Sequence, residues 1–152
     1  MASRFATIIA LFVTSLLAGA CALFGSHGNP LDELREAISD VVDDPSRAAS
    51  MLESLERSDQ LMLRSAKLLA DGAIAQRELF VEYETTPAQF QDLFEQVSNA
   101  RRRLQDELLR EHIVFKRTAT PDEWAALIEI HTRAVNARAE ALGRSAFSAA
   151  RS

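Results

Sequence analysis

The segment Thr86-Pro-Ala-Gln-Phe90 is matched further along the chain by Thr120-Pro-Asp-Glu-Trp124, and both are typical of the start of an α-helix. Proline is favoured at the first helical position because its missing N–H would have no partner there. Thr86 and Thr120 are each predicted to be the N-cap residue of the helix that follows. Gln89 and Glu123 are expected to reach back to the caps and complete a capping box.

The other two prolines have the same context, since Asn29 precedes Pro30 and Asp44 precedes Pro45. Asparagine and aspartate are both good N-cap residues. The four prolines of the chain therefore predict four helices joined by short connections.

Apolar residues recur at helical spacing between the prolines, and no segment alternates with period two. The second predicted helix, from Pro45 to about Tyr83, is about 58 Å long at roughly 1.5 Å per residue if it continues through Gly72. Its heptad-like apolar stripe consists of Ala48, Leu52, Leu55, Met62, Leu69, Ala73, Phe80 and Tyr83. The pattern predicts an all-α protein, an elongated antiparallel helical hairpin or bundle of about four helices. Helices of this length leave a thin core, which a homodimer would complete.

The composition excludes several classes of protein. A chain of 152 residues that is 47% apolar and 26% charged is long enough for one modest folded domain. A single cysteine excludes a disulfide framework, and a net charge of -5 argues against nucleic-acid binding by phosphate neutralisation. The sequence has no phosphate loop, no G-x-S-x-G and no CxxC, so we expect no enzyme.

The amino terminus, residues 1–20, is typical of a lipoprotein signal peptide. Arg4 precedes an apolar run, and the run ends in the small residues of Leu17-Ala-Gly-Ala-Cys21. That ending resembles a bacterial lipobox, which implies that the thiol of Cys21 is acylated, for example with palmitate, and anchors the chain in a membrane. An uncleaved anchor is one alternative, because the run can extend to Phe24 and is then long enough to span a bilayer. An ordinary buried helix is the other.

The rest of the chain is divided accordingly. We expect a tether at 21–29, a helical domain at 30–148 and a frayed tail at 149–152. The protein is predicted to be lipid-anchored in the cell envelope and to face the periplasm. Ala22 resembles an outer-membrane address if the host is Gram-negative.

The stretch from Thr86 to Ile130 resembles Spy/CpxP-type envelope stress proteins and the related periplasmic heavy-metal sensor and resistance proteins. Those families carry repeated Leu-Thr-x-x-Gln motifs at helix starts. Here Thr85 and Ala119 replace the leucine, and Glu123 replaces the second glutamine. The resemblance implies a curved helical hairpin, often dimeric, that acts in the envelope stress response by binding metal or unfolded protein.

Two histidines in the predicted helices are candidate metal ligands. His112 and His131 are expected to meet across the third and fourth helices if the hairpin turns near Thr118. A carboxylate of Glu111 or Glu129 would complete a site for zinc or copper. The alternative is that both are ordinary surface or interface histidines.

Arginines give the third helix an excess of positive charge, namely Arg101, Arg102, Arg103 and Arg110. They are either a solvated face with weak ion pairs or a surface that attracts acidic or partly unfolded clients. A dimer seam with the acidic first helix is a third option. The sequence therefore predicts a membrane-tethered protein that acts by binding, as a metal sensor, as a chaperone-like or regulatory binder of envelope proteins, or as a structural partner of an envelope complex.

Overall fold

The computed structural model describes residues 29–149, and 89% of these residues are helical, with no strand among them. The four helices are α1 (Asp32–Val41), α2 (Pro45–Val81), α3 (Pro87–Thr118) and α4 (Pro121–Ala149). The helices pack together as a bundle, which confirms the all-α class predicted from the sequence. The signal peptide, Cys21 and most of the tether lie outside the described residues. Within 29–149, none of the helices has an apolar stretch long enough to cross a membrane.

Three helices begin at the prolines that the sequence pattern singles out. The carboxylate of Asp44 accepts hydrogen bonds from the backbone N–H of Ser46 at 2.8 Å and of Arg47 at 2.9 Å. At the start of α3, the hydroxyl of Thr86 accepts from the N–H of Gln89 at 3.4 Å, and the side-chain oxygen of Gln89 accepts from the N–H of Thr86 at 2.7 Å. These bonds satisfy N–H groups that have no partner inside the helix.

The first helix begins later than its proline predicts. The side-chain oxygen of Asn29 accepts from the N–H of Leu31 at 3.1 Å, and the carbonyl of Asn29 accepts from the N–H of Asp32 at 2.8 Å. Pro30 and Leu31 therefore form a turn, and the helix starts at Asp32.

The long helix α2 runs through Gly72 without a break. Its 37 residues make it about 55 Å long, and α3 packs against it as its antiparallel partner. An ideal Cβ on Gly72 would lie 3.1 Å from Cγ2 of Val97 on α3. Glycine at this position therefore lets the two backbones approach closely. The last helix, α4, returns beside α2 and also packs on α1.

The hydrophobic core lies at one end of the bundle, which we call the base. Leu31, Leu34 and Ile38 are completely buried there, and they pack with Met51 of α2, Phe115 of α3 and other residues of all four helices. Burying one such side chain stabilises the fold by about 1.5–3 kcal/mol. Among the described residues none between 63 and 114 is buried. We call the part of this stretch between residues 63 and 107, which contains the end of α2, the beginning of α3 and their connection, the arm, because Leu108 already packs on the core.

The heptad-like stripe predicted for α2 is only half buried. Leu55 and Met62 belong to the core, whereas Leu69, Phe80 and Tyr83 are exposed. The second half of the stripe stays exposed because all buried residues of α1 and α4 lie at the base. The arm carries the same kind of apolar residue without the two helices that would cover it.

Candidate functional site

The arm presents an apolar surface to solvent. Nine large apolar side chains are exposed in the described part of the chain, all of them between residues 63 and 114 and the first six of them in the arm: Leu63, Leu69, Phe80, Val81, Tyr83, Phe94, Leu109, Ile113 and Val114. Isolated exposed apolar residues are normal on protein surfaces, but groups of them mark interaction sites. The arm is therefore the candidate site.

Three phenylalanine rings form a continuous surface at the end of the arm, which we call the aromatic face: Phe80, Phe90 and Phe94. The ring centroids of Phe80 and Phe90 are 4.9 Å apart, and those of Phe90 and Phe94 are 6.5 Å apart. The capping box at Thr86 fixes the first turn of α3 and thereby sets Phe90 against α2. Phe80 is nevertheless 69% exposed and Phe94 51% exposed.

The sequence around the aromatic face is acidic, although Arg102 lies on the same surface as Phe90, Phe94 and Glu95. Between residues 78 and 100, which we call the tip, the sequence has five carboxylates and no lysine or arginine. The five are Glu78, Glu82, Glu84, Asp92 and Glu95. The ion pairs found within 29–149 include none of them. Glu78, Glu82 and Asp92 line a groove between α2 and α3, and Glu95 lies on one surface with Phe90 and Phe94.

The predicted arginine patch follows the tip on α3. Arg101, Arg102 and Arg103 are exposed, and none of them belongs to an ion pair within the described residues. Arg102 lies beside Phe94 on the surface of α3. Arg110 is also exposed, and its Nε donates to the carbonyl of Asp106 on the same helix at 3.2 Å.

The structure brings His112 and His131 together at the base. Their ring centroids are 5.3 Å apart, and the ring of His131 lies 4.9 Å from Phe115 and 6.0 Å from Trp124. Burial, with a smaller effect of His112, lowers the pKa of His131 to about 4. The imidazole of His131 is therefore neutral at neutral pH and packs as part of an aromatic cluster.

The predicted metal site, in which a carboxylate of Glu111 or Glu129 joins the two histidines, is not assembled within the described residues. No group of three or more histidine, cysteine or acidic side chains within 29–149 is arranged to hold a metal ion. The carboxylate of Glu111 accepts hydrogen bonds from the hydroxyl of Ser54 and from Nε of Arg57, both at 3.0 Å, and Glu129 is exposed on α4. Adjacent helix residues point in different directions, so Glu111 faces α2 while His112 faces α4. The residues do not fit a structural zinc site, which takes four protein ligands.

The sequence patterns do not predict the ion pairs that join helices at the base. Arg138 of α4 binds both carboxylate oxygens of Asp59 of α2, at 2.7 and 3.2 Å. Glu123 accepts from the N–H of Thr120 at 2.8 Å, as its capping box predicts, and also from Arg47 of α2. The hydrogen bond from Arg47 is the main cause that lowers the pKa of Glu123, and the N–H of Thr120 adds to it. These pairs depend on which helices are neighbours, and local patterns do not reveal that.

No protein-family model, curated protein or solved structure matches this chain. The resemblance of the stretch from Thr86 to Ile130 to Spy/CpxP-type and heavy-metal-sensor proteins stays a prediction. The functional argument therefore depends on the surface of the arm itself.

Proposed function

We propose that this protein is a membrane-tethered lipoprotein of the cell envelope that binds apolar segments of other envelope proteins in the manner of a chaperone. The observation that supports the proposal is the exposure of large apolar side chains along the arm, with Phe80 and Phe94 more than half exposed. The binding element is the arm, and the base holds it in place.

Stability alone does not account for the arm. The base contains every fully buried residue of the described chain, whereas apolar residues between the two helices of the arm, such as Leu79 and Leu93, are only partly buried. The arm extends α2 by about 28 Å past the base and leaves aromatic rings in water. Aromatic side chains are enriched among the residues that contribute most to protein–protein binding. Burial of these rings by a partner would therefore account for their exposure in the folded chain, which folding alone does not explain.

The other predicted features support binding in different degrees. Acylation of Cys21 would hold the arm near envelope clients, and Arg101, Arg102 and Arg103 would attract acidic clients to the middle of the arm. A role as a metal sensor stays a prediction, with only His112 and His131 of the predicted ligands in contact.

An aggregation assay tests the proposal. Light scattering of a chemically reduced client protein is recorded with and without an equimolar amount of the chain. We expect suppression by the natural protein and loss of suppression in a Leu69→Ser/Phe80→Ser/Phe94→Ser variant. The matched control Phe80→Tyr/Phe94→Tyr retains both rings and should suppress aggregation as before. Equal scattering with and without the natural protein would overturn the proposal.

The tether is tested separately by metabolic labelling with palmitate. We expect the natural chain to carry the label and a Cys21→Ala variant to lose it. A natural chain without label would remove the lipid anchor from the proposal and leave the arm unaffected.

A further inference from the structure

A groove runs between α2 and α3 along one side of the hairpin, and we call it the charged groove. Two adjacent parts of it share Arg64 and Glu107. A third part begins one helical turn closer to the end of the hairpin, at Ala75 and Gln96. Partly buried leucines line it on both helices, namely Leu68, Leu79, Leu93 and Leu104.

The charges of the groove are separated by sign along its length. The half within the tip is lined by three exposed carboxylates, those of Glu78, Glu82 and Asp92. The other half is lined by three exposed guanidinium groups, those of Arg64, Arg103 and Arg110. None of these six side chains belongs to an ion pair among residues 29–149.

The other charges of the arginine half do not reverse its sign. Lys67 is paired with Asp71, and Arg57 is paired with Glu111. Among the residues that line this half, Glu107 is therefore the one carboxylate left beside three arginines. A lipid surface or a peptide of uniform charge would be attracted by one half of the groove and repelled by the other. The groove fits a partner whose charge also changes sign along its length.

On α2 the two signs lie at equal distances from Gly72, where α2 approaches Val97 of α3. Arg64 precedes Gly72 by eight residues, whereas Glu78 and Glu82 follow it by six and ten. At roughly 1.5 Å per residue, the arginine and the middle of the two carboxylates are each about 12 Å from Gly72.

The same spacing occurs on α3. Asp92 precedes Val97 by five residues and Arg103 follows it by six, which is about 8 and 9 Å. A rotation by 180° about an axis that crosses both helices at the contact of Gly72 with Val97 therefore exchanges the positions of the two signs. The chain itself carries the charge pattern that its groove requires of a partner.

We propose that the charged groove binds a second copy of the chain, face to face and antiparallel. In this dimer α2 lies on α2 of the second copy and α3 lies on α3. The arginine half of each copy faces the carboxylate half of the other, and two-fold symmetry makes each of these contacts occur twice. The leucines of the two grooves supply the apolar part of the interface.

The size of this face sets the strength of the dimer. The part of α2 shared by two copies centred on Gly72 runs from residue 62 to 82 and is about 30 Å long, and two neighbouring helices are about 20 Å wide. Contact over this area buries about 1,200 Å² in total, which is the lower limit for stable interfaces. We therefore expect a dissociation constant of about 1 μM.

The aromatic face stays accessible in the dimer. Phe90 and Phe94 share their surface of α3 with Ser98 and Arg102, and no residue of that surface lines the charged groove. Phe80 does not line the groove either. The dimer therefore goes beyond the function proposed above and leaves two aromatic faces free for clients.

Sedimentation equilibrium of the full-length chain tests the inference, in detergent micelles matched in density to the solvent. We expect the natural chain to be a dimer at a concentration about tenfold above its dissociation constant. The carboxylate variant Glu78→Lys/Glu82→Lys/Asp92→Lys has a groove that is cationic throughout. Because like charges then face each other, its dissociation constant should rise at least about a hundredfold.

The arginine variant Arg64→Glu/Arg103→Glu/Arg110→Glu has a groove that is acidic throughout and should also be a monomer. An equimolar mixture of the two variants should form a dimer again, because every cationic half then faces an acidic one. Recovery in the mixture also shows that both variants are folded. A natural chain that stays monomeric, or a mixture that does not associate, would overturn the proposal.

The control is Glu36→Lys/Asp40→Lys/Asp43→Lys, which reverses three exposed carboxylates on or beside α1. It has the same net charge as the carboxylate variant and should remain a dimer. A monomeric control beside a dimeric carboxylate variant would place the interface on α1 and overturn the groove. The carboxylate variant should suppress client aggregation as the natural chain does, so the dimer and the proposed function are measured separately.

Disulfide cross-linking tests the register of the two copies. Gln96 lines the groove beside Val97, so it lies near its own equivalent across the two-fold axis, whereas Ser98 lies on the other surface of α3. Oxidation should join Gln96→Cys chains into covalent dimers and leave Ser98→Cys chains and the natural chain unjoined. Cross-linking of Ser98→Cys alone would place the second copy on the surface of Phe94 and overturn the proposal.

Discussion

Replacement of Gly72 by alanine measures how closely α2 and α3 pack in the arm. Alanine is favoured over glycine inside a helix by about 1 kcal/mol. The new methyl group would lie 3.1 Å from Cγ2 and 3.7 Å from Cγ1 of Val97, whereas carbon atoms prefer a separation of about 3.5–4.0 Å. Valine has one strongly preferred rotamer in a helix, so the helices themselves must move apart. Overpacking costs about 1–3 kcal/mol, and we expect Gly72→Ala to lower the stability by up to about 2 kcal/mol or leave it unchanged.

The same substitution should behave differently once Val97 is shortened. In a Val97→Ala background both γ carbons are absent, so Gly72→Ala should raise the stability by about 1 kcal/mol. The two backgrounds therefore differ by about 1–3 kcal/mol, which is the coupling energy of the pair. Gly143 of α4 is the matched control, because an ideal Cβ there meets nothing within 4 Å, and Gly143→Ala should stabilise by up to about 1 kcal/mol.

Urea unfolding followed by far-UV circular dichroism measures these differences. The fluorescence of Trp124, the single tryptophan, reports on the base in the same samples. If the slope of the unfolding free energy against urea concentration is the same in all variants, the substitutions do not alter the denatured state. If Gly72→Ala stabilised as much as Gly143→Ala in both backgrounds, the close approach of α2 and α3 would be refuted.

Two further predictions concern the base. Because the pKa of His131 is lowered from 6.5 to about 4, the unfolded chain binds a proton in this range that the folded chain does not, and stability should fall as the pH decreases from 6.5 to about 4. The loss of stability should be about 1–2 kcal/mol after allowance for the partial exposure of the ring. Urea unfolding of a His131→Leu variant over the same pH range should not show this loss. Arg138→Met leaves the carboxylate of Asp59, whose side chain is 9% exposed, without its cation and should cost about 3–5 kcal/mol. The double variant Asp59→Leu/Arg138→Met should recover most of that stability, and an equal loss in the single and double variants would contradict the assignment.

The features that the sequence predicts well are those decided within a few residues. The helix starts at Pro45, Pro87 and Pro121 depend on a cap and a proline that are adjacent in the chain, so they are visible without a structure. The start of α1 differs because Asn29 forms a turn with the two residues after it, and a local turn and a helix cap use the same residue types.

The features that the sequence does not predict depend on which helices become neighbours. Leu55 and Leu69 occupy equivalent positions of one heptad-like stripe, yet only Leu55 lies where α1 and α4 also pack. The approach of His112 to His131 follows from the turn after Thr118, but the orientation of Glu111 toward Ser54 depends on the packing of α3 against α2. The aromatic face forms because the end of α2 and the beginning of α3 meet beside their connection and bring Phe80 against Phe90.

The complete burial of Leu31 has a mechanical consequence. The segment with Cys21 enters the folded part of the chain just before this residue, so in a chain tethered as we propose, tension on the tether reaches the core first through Leu31 and α1. Leu34 and Ile38 hold α1 in that core, and Glu33 is paired with Arg133 of α4. The base would therefore resist the force, and the arm would remain free of load.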